Sequence, residues 1–167
     1  MLVFGTDGRP LGRRSCPATH EEITARPRSG FPLAHPTWLG RREWFAAYGY
    51  RAAAVRCEDQ DLLLRSWRHS RFANVSTVLL GYREERIDLR KVLSSRYHYV
   101  GCVAREAGGW VRLSTCRAGS EQAAKGLADT LAVTFGMEAP VLGHRHRFLP
   151  DAELTRWQEV WRDSAGL

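Results

Sequence analysis

Arginine is the residue type with the most chemistry to offer in this chain. Of 25 basic residues, 23 are Arg; only Lys91 and Lys125 are Lys. A guanidinium is a planar fork of donors that matches phosphate and stacks on bases. Arg83, Arg86 and Arg90 stand at i, i+3 and i+7 with Lys91 beside them, so on a helix they form a basic stripe. Arg105, Arg112, Ser114, Thr115 and Ser120 follow. On one face of a sheet, such guanidiniums and hydroxyls suit the phosphates and 2′-hydroxyls of A-form RNA. Upstream, Trp38, Trp44, Phe45, Tyr48 and Tyr50 interleave with Arg41, Arg42 and Arg51. An exposed Trp can stack on a terminal base pair, worth ~1–3 kcal/mol per base. Trp44 and Tyr48, at i and i+4, equally suit a core face.

Other chemistry is less well supported. His144-Arg145-His146 has the spacing of a metal-binding pair, but no third ligand follows at a recognisable distance, so no metal is expected. His98 is a candidate acid/base for a ribonuclease, with no second catalytic group fixed. Cys16, Cys57, Cys102 and Cys116 show no CxxC spacing, and Cys102 and Cys116 read as small buried residues in a reducing compartment. P-loop, GxGxxG, GxSxG and HExxH signatures are absent. Two alternatives to RNA binding stay open. One is a small RNA-directed nuclease or toxin using His98 or His144 and His146. The other is a protein-interaction adaptor whose Arg content reflects codon usage alone.

The elements that must position these residues belong to a chain of 167 residues, 44% hydrophobic and 10% aromatic, enough for one packed domain. No apolar run reaches the ~18 residues of a membrane span. The start puts its charges after a very short apolar stretch, the wrong order for a secretory signal. The net charge is +7. It divides as +2 over residues 1–36, +6 over 37–137 and −1 over 138–167, so the excess lies where a polyanion would be met.

Prolines 10, 17, 27, 32 and 36, with glycines 5, 8, 12 and 30, predict a flexible arm over 1–36. From Thr37 to Trp67 the pattern is helical with a weak point near Gly49. A β-branched run predicts a strand over 73–81, and an amphipathic pattern predicts a helix over 82–95. Residues 98–106 and 110–116 read as a hairpin turning at Ala107-Gly108-Gly109. A long helix follows over 119–136, capped by Ser120. Its stripe of Ala124, Leu127, Leu131 and Phe135 serves either the core or a dimer seam. A last short helix over 150–163 carries Trp157 and Trp161 in the tail 138–167. The order predicts an α+β domain over 37–137 with an antiparallel sheet.

Taken together, these residues resemble the tombusvirus small-RNA-binding suppressors of RNA silencing. Pro36-Thr37-Trp38 and Glu43-Trp44 are similar to the family's Pro-Ser-Trp and Glu-Trp pairs. Tyr82–Ser95 resembles its basic helix, Val100-Gly101-Cys102 with Arg105 the start of its central hairpin, and Trp110–Ser120 the strand and Gly-Ser turn before its long helix. The likeness covers roughly residues 36–135, with a deletion near Arg96–Tyr99. It implies a homodimer whose continuous concave sheet cradles a short RNA duplex in the host cytoplasm, or also the nucleus, with no catalysis and no cofactor. Trp38 and Trp44 would stack on the duplex ends, Arg90 or Lys91 would meet phosphate, and Arg105, Arg112, Ser114 and Thr115 would line the sheet. One departure bears on this. The family's two tryptophans lie three apart, whereas Trp38 and Trp44 lie six apart, about 120° around a regular helix.

Overall fold

Leu2, Val3 and Phe4 form a strand because neighbours cover it on both sides. In the computed structural model, which describes all residues except 15, 85–86, 109–111, 138–147 and 166–167, β1 (Leu2–Phe4) is the middle strand of three. β2 (Pro10–Arg13) pairs with it antiparallel and β3 (Gly81–Arg83) pairs with it parallel, so Leu2 sits between Arg13 and Gly81. Pro10 opens β2 on the outer edge, where a missing backbone donor is tolerated. The described helices are α1 (His20–Ile23), α2 (Arg42–Tyr48), α3 (Glu58–Ser66), α4 (Leu89–Ala107), α5 (Leu113–Thr134) and α6 (Asp151–Ala165). The class is α+β, but the sheet is small and mixed rather than antiparallel.

Several local expectations are overturned. Residues 1–36, read as lacking regular structure, hold β1, β2 and α1. The helical stretch from Thr37 is two helices, and the break falls at Gly49 (φ 50°) as its sequence suggests. The strand expected over 73–81 joins the sheet only from Gly81 onward. The helix expected from residue 82 starts at Leu89, where Asp88 accepts a hydrogen bond from the Lys91 backbone N–H at 3.0 Å. Arg83 and Arg90 therefore lie on different elements, and Arg86 lies outside the described residues.

The predicted hairpin is a helix pair. Tyr99, Cys102 and Val103 are buried at i, i+3 and i+4, a helical period that outweighs the strand preference of the separate residues. Gly108 (φ 75°) closes α4 instead of turning a hairpin, its N–H reaching the carbonyls of Ala104 and Arg105. Arg105 is thus on α4. Arg112 precedes α5, and Ser114, Thr115 and Ser120 lie within it, so these five residues do not line a sheet.

α4 and α5 run antiparallel. Val100 meets Gly119, and Leu93 meets Gly126, where a Cβ would lie 3.0 Å from the Leu93 side chain. Ile23, Phe31, Cys57, Leu63, Tyr99 and Val103 are part of the main core. α6 covers the sheet through Trp157 and Trp161, whose rings lie 4.6 Å and 5.4 Å from the Phe4 ring. Trp157 Nε1 donates to the Gly8 carbonyl at 2.9 Å.

Candidate functional site

α5 faces the opposite way from what its composition suggests. Its buried positions are Thr115, Ala118, Gln122, Gly126, Asp129 and Ala132, which are small or polar. Its large apolar side chains point outward: Leu113 is 67% exposed, Leu127 61%, Leu131 47% and, just past its end, Phe135 69%. The cause is Arg96 on α4. Its guanidinium donates to Gln122 Oε1 at 2.8 Å and to Asp129 Oδ2 at 2.6 Å. Rolling α5 to bury its leucines would strand that largely buried charge without its partner. The stripe of Ala124, Leu127, Leu131 and Phe135 is therefore not intrachain core; it is an open apolar face about 17 Å long at the helical rise. Leu113 and Arg117 extend it toward the N-terminal end of the helix, on the same side.

Basic side chains gather around helix starts. Arg41 and Arg42 open α2, Arg90 and Lys91 open α4, and Arg112 and Arg117 lie at the start of α5. Arg41, Arg42, Arg90, Arg112 and Arg117 are exposed and make no ion pair among the described residues, whereas Lys91 pairs with Asp88 at 3.4 Å. The Asp88 carboxyl is held below the usual range by the Lys91 backbone N–H, with the Lys91 and Arg56 charges adding to it. Arg56 thus belongs to the group at the start of α4. It is the one non-glycine residue with positive φ (61°) among the described residues, and its carbonyl accepts from Ser95 Oγ at 3.0 Å. Sequence reading passed over Arg56 and Arg117. For Arg117 the signal was present, since tracing the α5 stripe back from Ala124 by seven residues reaches it.

Other expected contact residues are turned to structural work. Thr115 is 3% exposed and faces the interior, so it is removed from any ligand-binding surface. Ser120 does not cap a helix; its hydroxyl donates to the Cys116 carbonyl at 3.0 Å within α5. Ser114 is half-buried. Trp38 is half-buried against the core and stacks near His35 at 4.7 Å. Trp44 Nε1 donates to Ser70 Oγ at 2.7 Å, and its ring meets Phe45, Tyr48 and Phe72. His98 is half-buried on α4 with its ring edge-on to Tyr97. His144, Arg145 and His146 lie outside the described residues.

Arg105, itself partly exposed, reaches toward the buried Asp61 between α3 and α4. Asp61, with no exposed side-chain surface, accepts from Arg65 Nε at 2.9 Å, and Arg51 and Arg105 guanidiniums stand 3.9 Å away. Arg65 also donates to the carbonyls of Tyr48 and Gly49, tying the end of α2 to α3. Arg105 Nη2 approaches Cys102 Sγ at 3.1 Å, and Cys102 Sγ lies 3.5 Å from Cys57 Sγ. The hydrogen bond between the two thiols pushes Cys57 up, as does burial. The same bond, helped by the Arg105 charge, lowers Cys102 against the opposing effects of burial and Asp61. Cys102 is buried as expected, whereas Cys116 is exposed on α5.

Protein families, curated proteins and solved structures give no match to this chain. The site must therefore be read from its own geometry. Among the described residues, no helix is long and apolar enough to cross a membrane.

Proposed function

We propose that the protein is a homodimer, joined along the outward face of α5, that binds short double-stranded RNA through its phosphates and sequesters it without catalysis. The observation that carries this reading is the inversion of α5. Four large apolar side chains lie on its open side, with the exposed Arg112 and Arg117 at one end. An apolar stripe of this size, rimmed by charge, is the kind of surface that a partner covers. A second copy is the natural partner, since a two-fold axis lets the stripe meet itself. Pairing would also double the +6 of residues 37–137 to about +12, which raises the pull on a polyanion.

The ligand surface in this reading is helical. Arg41 and Arg42, Arg56 and Arg90, and Arg112 and Arg117 are the phosphate contacts, at the starts of α2, α4 and α5. Recognition through phosphates and sugars is independent of base sequence, as the likeness to silencing suppressors would require. Sequestering small interfering RNA is then the route by which the protein would suppress RNA silencing.

The test pairs light scattering with gel shift. The wild-type chain is expected to be dimeric and to retard a short RNA duplex more than its DNA equivalent or single-stranded RNA, leaving the RNA intact. A Leu127→Glu/Leu131→Glu variant should be monomeric, keep its circular dichroism spectrum and lose RNA affinity. Arg112→Ala/Arg117→Ala should flatten the salt dependence of binding by about two units in log–log slope. A monomeric wild type, equal affinity for DNA, or cleavage of the RNA refutes the reading.

A further inference from the structure

The thiols of Cys57 and Cys102 are 45 residues apart in sequence and 3.5 Å apart in space. Both cysteines are free, and both are buried, Cys57 at 2% exposure and Cys102 at none. They join two elements, since Cys57 is the residue that caps the start of α3 and Cys102 lies in the middle of α4. Cys102 has a cation on the next turn of its own helix, with Arg105 Nη2 at 3.1 Å from its sulfur. A cation in contact with a sulfur favours the thiolate, which is the nucleophilic form. The Cys57 thiol beside it is placed to resolve any oxidised product.

We propose that Cys57 and Cys102 form a peroxide-responsive dithiol, in which Cys102 is the attacking sulfur, Cys57 the resolving one, and the co-substrate a small hydroperoxide. The Cys102 thiolate attacks one peroxide oxygen. The O–O bond breaks, the sulfur becomes a sulfenic acid, and the other oxygen leaves as hydroxide and takes up a proton to become water. The Cys57 sulfur then attacks the sulfenic sulfur. An S–S bond forms, the S–O bond breaks, and the hydroxyl leaves with the Cys57 proton as a second water. Two thiols lose two electrons and two protons for each hydrogen peroxide reduced to two waters.

The surroundings favour this pair over the other two cysteines. Cys116 is exposed on α5, and Cys16 is half-buried near the amino terminus, where the Met1 ammonium approaches its sulfur only to 4.0 Å; Cys57 and Cys102 are the two buried cysteines. Burial admits hydrogen peroxide more readily than a bulky disulfide such as oxidised glutathione. Asp59, Asp61, Arg51 and Arg105 are the charged groups around the pair; Arg105 is the one in contact with sulfur. Oxidation would fasten the start of α3 to α4 and turn the sulfur that Arg105 donates to into a neutral disulfide sulfur. The proposal does not depend on RNA binding and is tested without RNA.

The experiment exposes a Cys16→Ser/Cys116→Ser protein to one equivalent of hydrogen peroxide and measures intact mass and peptide map. The expected result is the loss of two hydrogens, a peptide linking Cys57 to Cys102, a higher thermal midpoint, and reversal of all three by dithiothreitol. Arg105→Gln should slow formation severalfold at neutral pH, because it takes away the cation in contact with the attacking sulfur. The linked peptide is also sought in the wild-type chain, so the outcome does not hang on any variant folding. Cys102 carried on to the sulfinic acid with Cys57 still reduced, or both thiols reduced after the exposure, overturns the proposal.

Discussion

Replacing Asp129 with Asn keeps the shape of the side chain and removes its charge. Asp129 is 1% exposed and Arg96 18%, with 2.6 Å between Asp129 Oδ2 and Arg96 Nη2. Breaking a buried ion pair from one side costs about 3–5 kcal/mol, because the remaining charge stays desolvated and unpaired. Arg96 retains Gln122 and some solvent access, which puts the expected loss near the lower end, about 3 kcal/mol. For a chain of this size that corresponds to a fall of about 6–12 °C in thermal midpoint. Urea melts followed by circular dichroism would read it, at one fixed protein concentration because a dimer's midpoint depends on concentration. The control is Arg96→Met/Asp129→Leu, which removes both charges and should fall within about 1–2 kcal/mol of wild type. A loss below about 1 kcal/mol for Asp129→Asn would mean that the charges are solvated, and the argument for the orientation of α5 would fail with it. A double variant as unstable as the single one would place the cost in packing instead of charge.

Gly8→Ala should destabilise by at least about 1–2 kcal/mol from its left-handed backbone alone. Its Cβ would also clash with the Trp161 ring, so Trp fluorescence should shift and α6 should become easier to cleave by protease. Trp44→Phe removes the bond to Ser70 and should cost ~0.5–1.5 kcal/mol in urea melts, with little change in duplex-RNA affinity; the opposite pattern would put the indole at the ligand. The Glu121 carboxyl is held low by the Lys125 ammonium and the Ser29 hydroxyl. A lowered carboxylate stabilises above its unfolded value and loses that contribution as pH falls through its folded value. Wild type should therefore lose urea resistance more steeply than Glu121→Gln as pH drops below 4.5, and parallel curves would show that the pair contributes nothing. Gly126→Val should force α4 and α5 apart at Leu93, lowering the thermal midpoint more than Gly119→Ala, where a Cβ would meet the Val100 side chain only at 3.9 Å.

The proposed duplex-RNA contact rests on cations, at places other than those the sequence pattern suggests. Arg41, Arg42, Arg90 and Arg112 remain open to solvent, while Thr115 is interior and Arg105 lies against Cys102 and Asp61. The proposed ligand surface is a set of helix starts instead of a trough of strands, and backbone N–H groups at a helix start favour a negative charge. The outward leucines of α5 are the surface on which the proposed dimer rests.

The sequence by itself determined the features that depend on neighbours in the chain. The α+β class, the break at Gly49, most of the long helix ending before Gly136, and the paired tryptophans of α6 all follow from local periodicity and from glycine's access to positive φ. Only the tertiary structure decided what depended on distant partners. Residues 98–107 have the composition of a strand, yet they are helical because Tyr99, Cys102 and Val103 together complete a core built with Ile23, Phe31 and Leu63. β1 exists because Gly81–Arg83 and Pro10–Arg13 supply its hydrogen bonds from both sides, 79 and 11 residues along the chain at the Leu2–Gly81 and Leu2–Arg13 pairs. The stripe on α5 was visible as a pattern, but which of its faces is buried turned on a single arginine from another helix. Periodicity shows that a helix has two unlike faces; a buried charge that must be paired decides which of them is turned inward.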